Sequence, residues 1–143
     1  TLFFSEWGWT GFFCSAKDDP YAGCSKDSLD RQAHGGQELT AWLLDRAREE
    51  AASSGRRTLD LLDLHWYPQG GGTPLDATRS LWDPAYRDPS WIGDHVRLIP
   101  RMRAWVDAHY PGTGIALSEY DFSGVSPDPA VQALRRKQGK KAV

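Results

Sequence analysis

Glu119 closes the apolar run GIALSEYDF at residues 114–122, a carboxylate followed at once by Tyr120 on a stretch that otherwise reads as a buried strand. Two other short apolar runs finish in the same way. LFF at 2–4 leads into Glu6, Trp7 and Trp9, and TLDLLDLHWYPQ ends on His65, Trp66, Tyr67 and Gln69. Carboxylates set among aromatic rings suit carbohydrate chemistry. The C–H faces of a sugar stack on the electron-rich faces of Trp and Tyr, and glycosidic cleavage needs one carboxyl group to protonate the leaving oxygen and a second to attack or to activate water. One carboxylate does not do both in the usual mechanism. Taken alone, Glu119 fits equally a strand-end acid paired with an arginine of a neighbouring loop, Arg79 for example. His65 reads either as a partner of a sugar hydroxyl or carboxylate, or as a partly buried structural histidine. Tyr67 and Tyr120 divide between donating to a nucleophile and packing against the rim of a sheet. Trp82 and Trp91 stand in a segment rich in Asp and Arg, where sugar stacking is the more natural use. Trp42 and Trp105 fall on apolar helical faces and belong to a core.

Those side chains need elements to hold them. Leu39, Trp42, Leu43 and Ala47 recur at helical spacing within QELTAWLLDRAREEAASSG, with charges on the other face and Gly55 as a stop. Leu59, Leu61, Leu62, Leu64 and Trp66 then form an apolar run bounded by PQGGG, which predicts a mostly buried strand. Residues 21–36 have loop composition, and so does the longer stretch 70–92 with its RSLWDPAYRDPSWI. HVRLIPRMRAWVDAHY predicts a helix that Pro100 can open, stopped by YPGTG, and GIALSEYDF is the third strand. Strands alternating with helices predict an α/β fold of parallel strands joined by right-handed crossovers. In such folds chemistry gathers at the carboxyl ends of the strands, which is where all three polar and aromatic clusters lie.

Composition narrows the function classes. A net charge of −2 with both signs interspersed gives no electrostatic case for nucleic acid or an anionic membrane. No apolar run approaches the roughly 20 residues that span a bilayer, and TLFFSEWGW has neither a basic leader nor a cleavage site. At 143 residues one domain is expected. Cys14 and Cys24 lack a metal-binding pattern, so no zinc site is expected; a loop-closing disulfide and two free thiols remain open. DDPYAGCSKDSLD offers oxygen atoms to calcium, but its spacing does not match the EF-hand loop and a solvated loop is expected. No cofactor is implied.

Read together and in order, EWGWTGFF, DRQAHGG, DLHWYPQGG, RSLWDPAYRDPSWI and LIPRMRAWVDAHYPGTGIALSEYDF resemble glycoside hydrolase family 44, the endoglucanases and xyloglucanases, from about Glu6 to Phe122. The resemblance implies a (β/α)8 TIM barrel, of which this chain would carry about strands five to seven with their helices. It also implies retaining hydrolysis of β-1,4-glucan backbones, with cellulose or xyloglucan as the polysaccharide partner and secretion to reach it. By motif Glu119 matches the family's nucleophile. Trp9, His65, Tyr67, Trp82 and Trp91 fall in segments that border the substrate cleft, and Tyr120, next to Glu119, is expected to bind substrate with them. The departures are specific. The family's acid/base stands in an Asn-Glu-Pro motif that this chain does not contain, which puts the activity of the isolated chain in doubt; Glu6 receives no such role from the resemblance. The first four barrel strands are expected upstream. Residues 1–122 are expected to be a partial catalytic barrel, and 123–143, polar and basic, a divergent tail. The rival readings are a noncatalytic glucan-binding protein and an inactive truncated fragment.

Overall fold

The structure, a computed structural model, describes residues 2–4, 29–68, 73–89 and 93–122. Three strands form one sheet in the order β1–β2–β3: β1 (Leu2–Phe4), β2 (Leu61–Trp66) and β3 (Gly114–Tyr120). β1 and β2 run parallel, with Leu2 opposite Leu62, Phe3 opposite Asp63 and Phe4 opposite Leu64. β3 enters beside β2 where the Gly114 N–H donates to the Asp60 carbonyl at 2.9 Å. A tight turn cannot join parallel neighbours, so the chain has to cross over. Helix α2 (Leu39–Ser54), after the short α1 (Leu29–Ala33), lies between β1 and β2 in sequence, and α4 (Leu98–His109) lies between β2 and β3. This is the α/β alternation that the sequence predicts. The chain divides into two compact units, residues 1–65 with 101–119, and residues 66–100 with 120–143.

In the first unit the core gathers Ala41 and Leu44 of α2, Leu59, Leu62 and Leu64 of the β2 segment, and Met102, Trp105 and Val106 of α4, with Tyr110 following. α2 ends where expected. Gly55 takes φ 68°, a left-handed conformation that glycine adopts without steric cost. Its buried stripe, however, runs through Thr40, Ala41 and Leu44, while Trp42 and Leu43 are only half-buried. Trp42 is therefore not a core residue: its ring meets His34 edge-on at 4.8 Å, and the Arg46 guanidinium lies 5.9 Å from its centroid. An indole at the margin of a helix face gains as much from a cation as from an apolar neighbour. Trp105 is buried as expected, and its indole N–H donates to Glu38 Oε2 at 2.8 Å. Pro100 falls in the first turn of α4, where its missing N–H would have had no helical partner.

Asp45 ties α2 to α4. Its Oδ2 accepts from Gln37 Nε2 at 2.7 Å and lies 3.1 Å from His109 Nδ1, while Arg48 Nη2 donates to Oδ1 at 3.2 Å. Burial by itself raises this carboxyl. The hydrogen bonds from Gln37 and His109, with the charges of His109 and Arg48, outweigh burial together and hold the group below its ordinary value of 3.8.

In the second unit Trp66 is fully buried, and its indole N–H donates to Ser80 Oγ at 3.0 Å. Ser80, itself buried, donates to the Ala77 carbonyl. Its position comes from local order inside the stretch expected to be loop: α3 (Pro74–Ala77) continues into a 3-10 turn, Thr78–Leu81. The reason is legible once the cap is recognised. Thr73 Oγ1 accepts from the Asp76 N–H at 3.1 Å, and Pro74 opens the helix where its fixed φ is already helical. α1 likewise occupies a stretch whose composition predicts loop.

Leu44 has no solvent exposure and Leu75 is almost wholly exposed. Leu44→Ala is therefore expected to cost about 2–5 kcal/mol in chemical denaturation, and Leu75→Ala under about 0.5 kcal/mol. Asp45 sets a pH dependence. A carboxyl held lower in the folded than in the unfolded chain contributes stability that is present above the unfolded value and lost as pH falls through the folded one. Thermal melts between about pH 5 and pH 2.5 should show a shallower loss of Tm in Asp45→Asn than in the parent chain. Parallel curves would exclude the clamp.

Candidate functional site

β2 and β3 bring two of the expected residues together at their carboxyl ends. His65 Nδ1 stands 3.5 Å from Glu119 Oε2, the imidazole side chain 19% exposed and the carboxylate 56% exposed. That separation is ion-pair reach and long for a hydrogen bond. An imidazole there can steady the carboxylate's charge. The contact comes from strand geometry. Alternate residues of a strand share a face, so Asp63 and His65 lie on one side of β2. Asp63 is 3% exposed and accepts from the Ser118 N–H at 3.0 Å. The backbone is thus gripped one residue before Glu119.

The remaining described candidates lie in the second unit. Tyr67 is half-buried, directly after β2. Tyr120 is 59% exposed with its ring 5.9 Å from that of Phe122. Trp82, at the end of the 3-10 turn, is 58% exposed. The loop after it is braced by charge. Arg79 bonds Asp83 Oδ2 through Nε and Nη2, each at 2.9 Å, and lies 5.0 Å over the Tyr86 ring. Within its own unit Arg79 is engaged by Asp83 and Tyr86, and the partner that the first unit gives Glu119 is His65. The Ala85 N–H, Arg79 and the Tyr86 N–H together hold the Asp83 carboxyl below its usual range against a small opposing effect of burial. Burial, with the negative charges of Asp88 and Asp76, raises the Tyr86 phenol. Trp9 and Trp91 lie outside the described residues, as do Glu6, Cys14, Cys24, all but the last two residues of DDPYAGCSKDSLD, and the tail 123–143.

Among the described residues no three His, Cys, Asp or Glu side chains stand close enough to hold a metal ion, and no helix is long and apolar enough to cross a membrane. Asp63 is the residue that sequence reasoning missed. Its signal was present: an acid inside LDLLDLHW, a run otherwise apolar enough to be buried, is an expensive residue without a bonding partner.

Comparison with known proteins carries the site further. The profile of glycoside hydrolase family 44 matches residues 1–70. Endoglucanase A of Paenibacillus lautus is 38% identical over 58% of this chain. The crystal structure of CelM2, a bifunctional glucanase-xylanase from a metagenome library, superposes on 82% of the chain with a TM-score of 0.68 and 44% identity. The chain belongs to glycoside hydrolase family 44. A family 44 xyloglucanase of Paenibacillus polymyxa, solved with xyloglucan, matches over 68% of the chain at 30% identity and a TM-score of 0.60. The chain spans 15% of the Paenibacillus lautus endoglucanase, 25% of CelM2 and 23% of the family 44 xyloglucanase.

Trp66 adjoins His65, and its indole N–H donates to the buried Ser80 hydroxyl. Ser80→Ala removes that acceptor and is expected to cost about 1–3 kcal/mol in denaturant unfolding, whereas Thr78→Ala, an exchange at a half-exposed hydroxyl bonded within its own turn, should cost under about 1 kcal/mol.

Proposed function

We propose that this chain is part of the catalytic barrel of a retaining endo-β-1,4-glucanase acting on cellulose or xyloglucan, and that Glu119 is its nucleophile. The observation that carries the reading is the placement of Glu119 at the carboxyl end of β3, half-exposed and 3.5 Å from His65 at the end of β2. The family membership supports the substrate class, and a parallel sheet with its polar rim at the strand ends is what a barrel glycosidase needs. In this reading β1, β2 and β3 are the fifth, sixth and seventh barrel strands, residues 1–122 belong to the barrel, and residues 123–143 form a tail.

In the reaction Glu119 attacks the anomeric carbon, forming a C1–O bond to its carboxylate as the bond to the leaving sugar breaks. A second carboxyl group supplies the proton to the departing oxygen and later takes one from water, which releases the sugar with retained configuration. A retaining pair stands about 5–5.5 Å apart, and the acid partner is expected from another barrel strand. His65 or Tyr67 steadies the nucleophile's charge and orientation, while Trp9, Trp82, Trp91 and Tyr120 receive sugar rings. Trp82 and Tyr120 have the exposed faces that stacking requires. The chemistry needs no cofactor or metal, and a polymeric substrate places the enzyme outside the cell.

The test separates the nucleophile from the acid. A 2-deoxy-2-fluoro-β-cellobioside bearing a dinitrophenolate leaving group needs no proton to depart, and its fluorine slows both steps by destabilising the oxocarbenium-like transition state. Incubation of the chain is expected to release dinitrophenolate and leave one fluorocellobiosyl group on the peptide that contains Glu119, read by mass spectrometry; Glu119→Gln should take no label. A folded chain that binds cello-oligosaccharides and is never labelled would instead favour a glucan-binding role.

A further inference from the structure

Asp63 has no part in the reaction just described, yet it is 3% exposed in the middle of an apolar strand, where an acidic side chain is seldom kept without a bonding partner. The partner is a backbone group, the Ser118 N–H, at 3.0 Å from Asp63 Oδ1. In an unbroken parallel ladder an N–H that points at the next strand is taken by that strand's carbonyls. The two ends of the β2–β3 pairing show why this one is not. The Gly114 N–H donates to the Asp60 carbonyl at one end, and the Asp121 N–H to the Trp66 carbonyl at the other. β3 uses one residue more than β2 to cover the same stretch. That is the count of a β-bulge, and Ser118, whose N–H is held by a side chain, marks its place.

The extra residue decides which side chain meets His65. Gly114 lies against Leu61, whose Cδ1 is 3.0 Å from where a Gly114 Cβ would stand. Counting on from that pair without a bulge brings Ser118 beside His65; one added residue brings Glu119 there instead, in keeping with the 3.5 Å between His65 Nδ1 and Glu119 Oε2. We propose that Asp63 is a positioning residue for Glu119, holding through the Ser118 N–H the one-residue register shift that presents Glu119 on the face of β2 shared by Asp63 and His65. The consequence for chemistry rests on the reading of Glu119 as nucleophile; the register lock does not.

The experiment uses the full 143-residue chain and two readouts, amide hydrogen exchange at Ser118 by NMR and the rate of labelling of Glu119 by the fluorocellobioside. Asp63→Asn keeps the acceptor oxygen, and both readouts should stay within about threefold of the parent. Asp63→Ala removes it. Ser118 exchange should then accelerate by about tenfold or more while the Leu62 and Leu64 amides are unchanged, and labelling should slow by about 10–100-fold. Unchanged Ser118 exchange in Asp63→Ala overturns the proposal. So does equal damage by Asn and Ala, because the buried charge and not the acceptor would then be what matters. If the alanine variant does not fold, Asp63→Asn decides: retained Ser118 protection supports the lock, and its loss with Leu62 and Leu64 intact overturns it. A parent chain that protects Ser118 but takes no label refutes the nucleophile reading, and exchange in the two variants then judges the lock by itself.

Discussion

β2 lies between two strands and keeps most of its side chains from solvent, and this crowding governs what the polar residues of the sheet can do. An exposed strand can carry acids and histidines at will, since water satisfies them. A central strand cannot: each buried polar atom needs a partner in the protein, at a cost of roughly 1–3 kcal/mol if none is found. Asp63 finds the Ser118 N–H, Trp66 finds Ser80, and His65, next to the rim, finds Glu119. The same demand that stabilises the strand therefore draws the nucleophile candidate and the segment before it into fixed places.

The parts of the structure legible in the sequence are those where one physical signal dominates. α2 is recognisable from its period and from Gly55, and β2 and β3 from apolar runs bounded by turn residues. What the sequence hid is local or long-range bonding that changes no pattern. The α3 and 3-10 segment depends on a Thr73 cap and a Pro74 that loop composition masks, and the buried stripe of α2 runs through Leu44 in place of Leu43, with Trp42 at its margin beside His34 and Arg46. At the candidate site the position of Glu119 was visible from its place at a strand end. Its neighbour was not, since Arg79 and His65 are equally plausible partners in one dimension, and the approach of His65 to Glu119 appears only when β2 and β3 lie side by side.

In the first unit α2 and α4 are tied to each other by polar contacts as well as by the core. Asp45 engages Gln37, His109 and Arg48, and Glu38 engages the Trp105 indole. These bonds fix α2 against α4, whose buried residues share the first unit's core with those of β2. None of them touches the rim. A defect in the clamp should therefore weaken the scaffold without changing the identity of the residues presented there, which is the separation between fold and chemistry expected of an α/β sheet with its site on the loops.

An irregular strand beside Glu119 calls for a reason, because a bulge gives up a ladder hydrogen bond and weakens pairing. Two features here make the irregularity tolerable. The Ser118 N–H is bonded by a carboxyl from the adjacent strand, so that donor is satisfied, and the Asp121 N–H again meets a carbonyl of β2, that of Trp66. What the strand gains is a change of face. With a period of two, no substitution of side chains can move a residue from one side of a sheet to the other; only a change in residue count can. A bulge held by Asp63 is thus a structural solution that exchange of Ser118 and Glu119 would not reproduce in full. With the bulge in place exchange would put serine beside His65; only on a strand without the added residue would an acid at position 118 stand there, its direction then set by the ladder alone instead of by a bond from the residue two places before His65.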